Sequence, residues 1–261
     1  ILANINDSGD EPYMLASSLP GVPVWVGKKS DILGLSYKKT FPKSIILDDG
    51  FQSLYIKKNL DILLIDVSVD FNQYKLLPYG LLREPLSAIN RANIIVLTKC
   101  NFGEKNINKI KALISSYLYN HNTTIFTSNY ILSLKNYKNN EFTFFKKELS
   151  VAVVAFCGIA NSSIFEQEAA SLARGAFSFV KFSDHHQYCS ADFNLIKTRA
   201  KKIGSKTILT TKKDFFKIKN YFKNYDLFIL DVEHQIINQN AFFKQIENNI
   251  KRYYSSDQYI G

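Results

Sequence analysis

A chain of 261 residues, 46% hydrophobic and 21% charged, has an ordinary globular composition and room for one large or two modest domains, which excludes a disordered chain. The formal charge of +10 and a pI near 9.3 point to an anionic partner, whether nucleotide, nucleic acid or membrane headgroup, although the lysines are spread along the chain. Three widely spaced cysteines, Cys100, Cys157 and Cys189, fit reduced thiols better than a disulfide framework, and no apolar run reaches the length of a membrane span.

In chain order, Gly9-Asp10-Glu11-Pro12 leads into a helical turn at Tyr13-Met14-Leu15-Ala16, because proline is tolerated at a helix start and acidic residues there complement the dipole. Asp10 and Glu11 are therefore helix caps or, if a phosphate site lies beside them, candidates for a general base. VPVWVG at 22–27 is a compact β-rich run, and Lys28-Lys29 after it face either phosphates or water. Ile45, Ile46 and Leu47 have the composition of a short buried strand, which would deliver Asp48 and Asp49 to the edge of a sheet where ligands bind. Two adjacent carboxylates repel each other. Magnesium on a nucleotide phosphate would offset them, and an ordinary Asp-Gly turn is the plainer alternative.

DILLID at 61–66 and NIIVLTK at 93–99 are further strands. Between them LLPYGLLREP carries Arg83 and Glu84; the forked donors of an arginine make it a candidate phosphate clamp, with a surface ion pair as the default. The polar, Lys/Asn-rich stretch at 130–148 alternates with Phe and Tyr and predicts an extended connection, a β-ribbon, into a second unit. From 151 the α/β pattern restarts, with strands at 151–157, 177–182 and 207–211 and helices at 163–174 and 191–204. Ser183-Asp184-His185-His186 follows a strand directly. A histidine beside an aspartate is a candidate general base, a loop histidine with one hydrogen bond is commoner, and no zinc ligand set accompanies it. Residues 240–254 have the spacing of an amphipathic packing helix with Phe243, Ile246 and Ile250 on one side. Short apolar strands separated by helices define an α/β chain with a mostly parallel sheet.

Taken together and in order, GDEP, DDGFQ, DILLID, LLPYGLLREP, FCGIANSSIF, FSDHHQY and ILTTKKD closely resemble the tetraacyldisaccharide 4'-kinase family, the lipid A 4'-kinases of Gram-negative bacteria, from Gly9 to Asp214. The resemblance implies a P-loop NTPase-like parallel sheet and a second, smaller α/β domain joined through a two-stranded linker. Here residues 1–148 would be the kinase-like core with linker and 149–261 the smaller domain. It also implies transfer of the γ-phosphate of ATP, with Mg2+, to the 4'-hydroxyl of the tetraacyl disaccharide 1-phosphate, giving lipid IVA in lipid A biosynthesis. The implied partners are that lipid A disaccharide 1-phosphate precursor and an anionic membrane surface, with no nucleic acid. The implied place is peripheral, on the cytoplasmic face of the inner membrane.

Residue by residue, the resemblance makes Asp10 the catalytic acid paired with His185, with Glu11 beside it. Asp48 and Asp49 become Walker B-like carboxylates that organise magnesium and nucleotide together with Gln52. Arg83 and Glu84 become active-site residues near the phosphates, while the role of Thr211, Lys213 and Asp214 stays open. The domain boundary would separate Asp10 from His185, so their pairing would require interdomain closure, and Asp10, Asp48 and Asp49 would converge at one sheet edge. There are departures. Ser53 stands where the family reads histidine after DDGFQ, and no G-x-x-x-x-G-K-[ST] loop occurs in these residues. With Ile1 first and the family's N-terminal membrane-associating helix also missing, the expectation is an N-terminally truncated fragment, inactive alone. The alternative is a degenerate, non-catalytic homologue that binds a lipid A precursor or a membrane partner.

Overall fold

The computed structural model describes residues 4–27, 44–119, 122–138, 141–145, 149 and 151–256, so Lys28 and Lys29 lie outside the described residues. Helices α1 (Ile5–Ser8) and α2 (Asp10–Ser18) come first, followed by strands β1 (Ile62–Asp66) and β2 (Ile94–Thr98) and helix α3 (Glu104–Tyr117). Strands β3 (Thr124–Lys138), β4 (Glu141–Phe144) and β5 (Val153–Cys157) precede α4 (Ser163–Leu172), β6 (Phe177–Lys181) and α5 (Ser190–Lys202). The chain continues through β7 (Thr207–Thr211), α6 (Lys212–Ile218), β8 (Asp226–Ile236) and α7 (Gln239–Ser256). The fold is α/β with mainly parallel strands. No described helix is long and apolar enough to cross a membrane.

Two compact units form, one from Ile1–Lys43 with Leu132–Asp231 and the other from Ser44–Ile131 with Val232–Gly261. The expected division between 148 and 149 is not the division observed. The N-terminal segment joins the later α/β stretch because α2 packs on α6, where Tyr13 meets Phe216 edge-on at 5.9 Å.

In the unit that contains α2, β5 lies between β6 and β7, with β8 beyond β7, and all these pairings are parallel. The chain leaves β5 for β6 on one side and returns to β7 on the other, so its topological switch point lies at the carboxyl ends of β5 and β7, where open α/β sheets bind ligands. Every residue of β5 is buried, as a strand covered on both faces must be. Its alternating side chains divide between two cores: Val154 and Phe156 pack with Ile196, Ile208 and Phe215, while Val153 and Ala155 pack with Leu209 and Phe228. A fully buried Val, Leu, Ile or Phe side chain here contributes about 1.5–3 kcal/mol. β3 and β4 pair antiparallel from Lys135↔Phe144 to Lys138↔Glu141, which is the ribbon read at 130–148.

In the other unit β1, β2 and β3 run parallel in that order. Ile95 and Leu97 of β2 pack on Ile110 and Ile114 of α3, and Ile94 and Val96 pack on Phe126 and Phe242. The buried face of α7 carries Phe242 and Ile246, whereas Phe243 and Ile250 are exposed; the apolar stripe is set by the edge-on Phe126–Phe242 contact at 5.3 Å.

Two expected β runs are irregular. Residues 45–47 form no strand, Ile46 is 95% exposed, and Asp48 and Asp49 lie in a turn. Residues 22–27 are also irregular, with Trp25 and Val26 exposed. β-favouring composition expresses fit to a packed, pleated surface, and no strand pairs with either segment among the described residues.

Candidate functional site

Asp10 opens α2 directly after Gly9, whose φ of 85° suits a residue without a side chain, and it is 8% exposed. His185 lies on the loop after β6 in a left-handed conformation, φ 55°, where the Asp184 carboxylate accepts its backbone N–H at 3.0 Å. A non-glycine residue in that region is held there by its surroundings. His185 Nδ1 stands 3.3 Å from Asp10 Oδ2, and its Nε2 is 3.3 Å from Lys213 Nζ. An ammonium only donates, so in this contact Nε2 accepts from Lys213, and Nδ1 is the ring nitrogen that faces Asp10.

Lys213 also lies 3.3 Å from Asp184 and 3.5 Å from Glu11, and Lys217, one helical turn later, places Nζ 2.5 Å from Asp10 Oδ2. Slight burial opposes the Asp184 charge, but Lys213 and His185 outweigh it and hold the carboxyl below the usual range. His186 faces elsewhere: its ring stacks on Phe182 at 4.7 Å and Nε2 lies 2.9 Å from Asp192.

The helix that carries both lysines is anchored at its start. Thr211 accepts the Asp214 backbone N–H, and the fully buried Asp214 carboxylate accepts from Thr211 Oγ1 and the Gly158 N–H, both at 2.8 Å. A Cβ at Gly158 would stand 3.1 Å from the Ser183 carbonyl oxygen and 3.2 Å from Asp214, so the loop after β5 closes tightly on the same point. The FCGIAN and TTKKD segments thus meet at the switch point.

The other unit gathers the DDGFQ and LREP residues. Arg83 Nη1 donates to Asp49 Oδ2 at 2.9 Å and to Gln52 Oε1 at 3.3 Å, and both partners of the ion pair are exposed. Glu84 pairs instead with Arg91 at 2.8 Å, and the Arg91 guanidinium covers the Phe51 ring at 4.5 Å. Lys58 donates to the Gly50 and Phe51 carbonyls, both at 3.1 Å, and pairs with Asp61. Phe51 therefore ties the carboxylate turn to LREP. Ser53 is buried, and its hydroxyl makes no hydrogen bond to a described group.

Among the described residues no group of three potential side-chain ligands is assembled for a metal ion. Asp48 and Asp49 nonetheless supply two exposed carboxylates on one turn, and magnesium uses one or two such groups while water and substrate phosphate fill its remaining positions. The donor set fits a phosphate-borne Mg2+. At the ends of β1 and β2, burial opposes the Asp66 charge but hydrogen bonds from Lys99 and Ser68 prevail, holding its carboxyl below the usual range.

The structure thus joins Asp10, Glu11 and His185 in one unit, and Asp49, Gln52 and Arg83 in the other, with Glu84 turned to Arg91 and Asp48 exposed. The approach of His185 to Asp10 belongs to a single unit, so it needs no closure between two. Lys217 and Arg91 escaped the sequence reading. Lys217 had one signal, its i, i+4 spacing from Lys213; Arg91 had none beyond its charge.

An α/β chain that sets a buried aspartate against a loop histidine at a parallel-sheet edge, and an arginine that donates to an aspartate and a glutamine on another turn, has parts of the kind phosphoryl-transfer proteins use. The model of the tetraacyldisaccharide-1-P 4'-kinase family, LpxK, matches residues 3–251, and the chain belongs to that family. It is 32% identical over 251 residues to the tetraacyldisaccharide 4'-kinase of Halothermothrix orenii, covering 89% of this chain and 65% of the relative. It is 36% identical over 235 residues to that of Desulfotalea psychrophila, covering 87% and 65%. The chain therefore spans just under two thirds of the length of these relatives. The crystal structure of the "apo" form of LpxK from Aquifex aeolicus in complex with ATP superposes with a TM-score of 0.65 at 27% identity, over 95% of this chain and 71% of that one.

Proposed function

We infer that the protein transfers the γ-phosphate of ATP to the 4'-hydroxyl of tetraacyldisaccharide 1-phosphate, forming lipid IVA. The observation that carries this reading is the 3.3 Å approach of His185 Nδ1 to the buried Asp10 carboxylate, within the family's GDEP and DHH motifs. Phosphoryl transfer asks the protein mainly for positioning and charge neutralisation, with a base for the hydroxyl proton. Asp10, with His185 Nδ1 3.3 Å from its carboxylate, takes that proton as the 4'-oxygen attacks the γ-phosphorus, and the bond to ADP breaks. Glu11 keeps Lys213 beside the pair. Arg83 and Gln52 bind phosphate oxygens, and Glu84 acts near them. Asp48 and Asp49 would hold Mg2+, which neutralises phosphate charge when bound.

The protein would act as a peripheral protein on the cytoplasmic face of the inner membrane, its net positive charge drawing it to anionic lipid. Incubation of the full-length protein with ATP, Mg2+ and tetraacyldisaccharide 1-phosphate, followed by mass spectrometry, should show one phosphate gained at the 4'-position, abolished by EDTA. Ser53 at the family's histidine position favours one other reading, a homologue that binds the lipid A precursor without turnover. Precursor binding with no phosphate transfer would select it.

A further inference from the structure

The geometry points to Lys217 as a positioning residue for Asp10, holding the carboxylate in its acid–base setting and fixing the DHH loop against it. This rests on the Asp10/His185 reading of the site. Lys217 is among the least exposed cations of its unit, with a side chain 7% exposed, and its ammonium faces two groups that belong to different motifs. Nζ is 2.5 Å from Asp10 Oδ2 and donates to the His186 carbonyl oxygen at 3.1 Å. Asp10 Oδ2 meets no fully aligned hydrogen bond in this arrangement, so the ammonium holds it chiefly by charge.

A buried ammonium between an anion and a carbonyl dipole is expensive to desolvate unless both stay in place, so each partner constrains the other. Asp10 is fixed at the start of α2, and the His186 carbonyl fixes the residue that follows His185. One side chain thereby sets the distance across which His185 addresses Asp10. The helix supports this: Phe215 and Ile218 bury in the core, Thr211 and Asp214 anchor its first turn, and Lys213 and Lys217 project at i and i+4. Lys213 serves Glu11, Asp184 and His185, while Lys217 serves Asp10 and the loop backbone.

Three measurements on the enzyme test the assignment. Lys217→Met is expected to lower kcat about 10²-fold with KM for ATP changed less than about threefold, because a small misplacement of reacting groups costs rate rather than nucleotide binding. The charged groups around Asp10 are His185, Lys213, Lys217, Glu11 and Asp184, with His186 paired to Asp192. In an Asp10→Asn background the same change should have little further effect, whereas a purely structural lysine would cost as much in either background. Lys217→Arg keeps the charge and the fold, and should retain kcat within about fivefold. The inference is overturned if Lys217→Met keeps wild-type kcat, if its cost is the same in both backgrounds, or if the Arg variant is as impaired as the Met variant. Retention of wild-type kcat by Asp10→Asn alone would instead overturn the underlying reading of the site.

Discussion

Tyr13 sets its ring edge-on to Phe216 at a centroid spacing of 5.9 Å, and this contact seats the helix bearing Asp10 on the helix bearing Lys213 and Lys217. An edge-to-face pair contributes about 0.5–1.5 kcal/mol beyond its buried area. Phe216→Ala should therefore lower Tm by several degrees, at about 2–4 °C per kcal/mol for a chain of this size. Because α2 would shift on α6, kcat should fall about tenfold or more through misplacement of Asp10. Calorimetry with steady-state kinetics checks both. A lowered Tm with kcat intact would show that the contact stabilises the unit without setting the site.

The two histidines of the DHH segment should separate by measurement. His186 stacks on Phe182 and pairs with Asp192, so His186→Ala removes a packed ring and leaves a carboxylate without its partner. We expect it to lower Tm more than His185→Ala does, and kcat less. Thermal unfolding and kinetics of both variants decide, and the reverse order would reassign the functional histidine.

The strands that ended up in packed sheets were legible because their apolar runs are short and bounded by polar residues: β1, β2, β5, β6 and β7 all lie where those runs place them. β8 is absent from the expected strands although Leu227 to Leu230 is a run of the same kind. Ile45 to Leu47 shows the limit of such a reading. Composition there favours a strand, but no partner strand accepts it and Ile46 is left in solvent. The motifs named two residues that do approach each other, Asp10 and His185, but also Glu84, which turns to Arg91. What stayed hidden was long-range: no local pattern shows that α2 packs on α6, that Lys217 reaches Asp10, or that Arg91 returns through a 3-10 helix to Glu84 and Phe51.

Arg91 supports the LREP and DDGFQ segments together, because one planar guanidinium pairs with Glu84 and covers Phe51. Lysine reproduces the charge but neither the fork nor the stacking plane. Arg91→Lys should raise KM for ATP by about tenfold with little gain over Arg91→Ala. Full recovery in the lysine variant would reduce the role of Arg91 to simple charge.

Asp66 offers a pH test. Its folded carboxyl titrates below the ordinary value of 3.8, so its pairing with Lys99 stabilises the fold above that value and is lost as pH falls through the lower, folded one. The difference in unfolding free energy between wild type and Asp66→Asn should be constant near neutral pH and shrink below about pH 4. A difference that grew on acidification would mean that the folded carboxyl titrates above, and not below, its ordinary range.

The central claim is that Asp10 and His185 act as one acid–base unit in transfer to the 4'-hydroxyl. The most direct test is kcat for phosphate transfer from labelled ATP to tetraacyldisaccharide 1-phosphate by Asp10→Asn, His185→Ala and the double variant. Each single change should lower kcat by about 10²-fold or more, and the double variant should be scarcely worse than the poorer single, as for groups acting as a unit. Wild-type kcat in either single variant, or losses that multiply in the double, would contradict it.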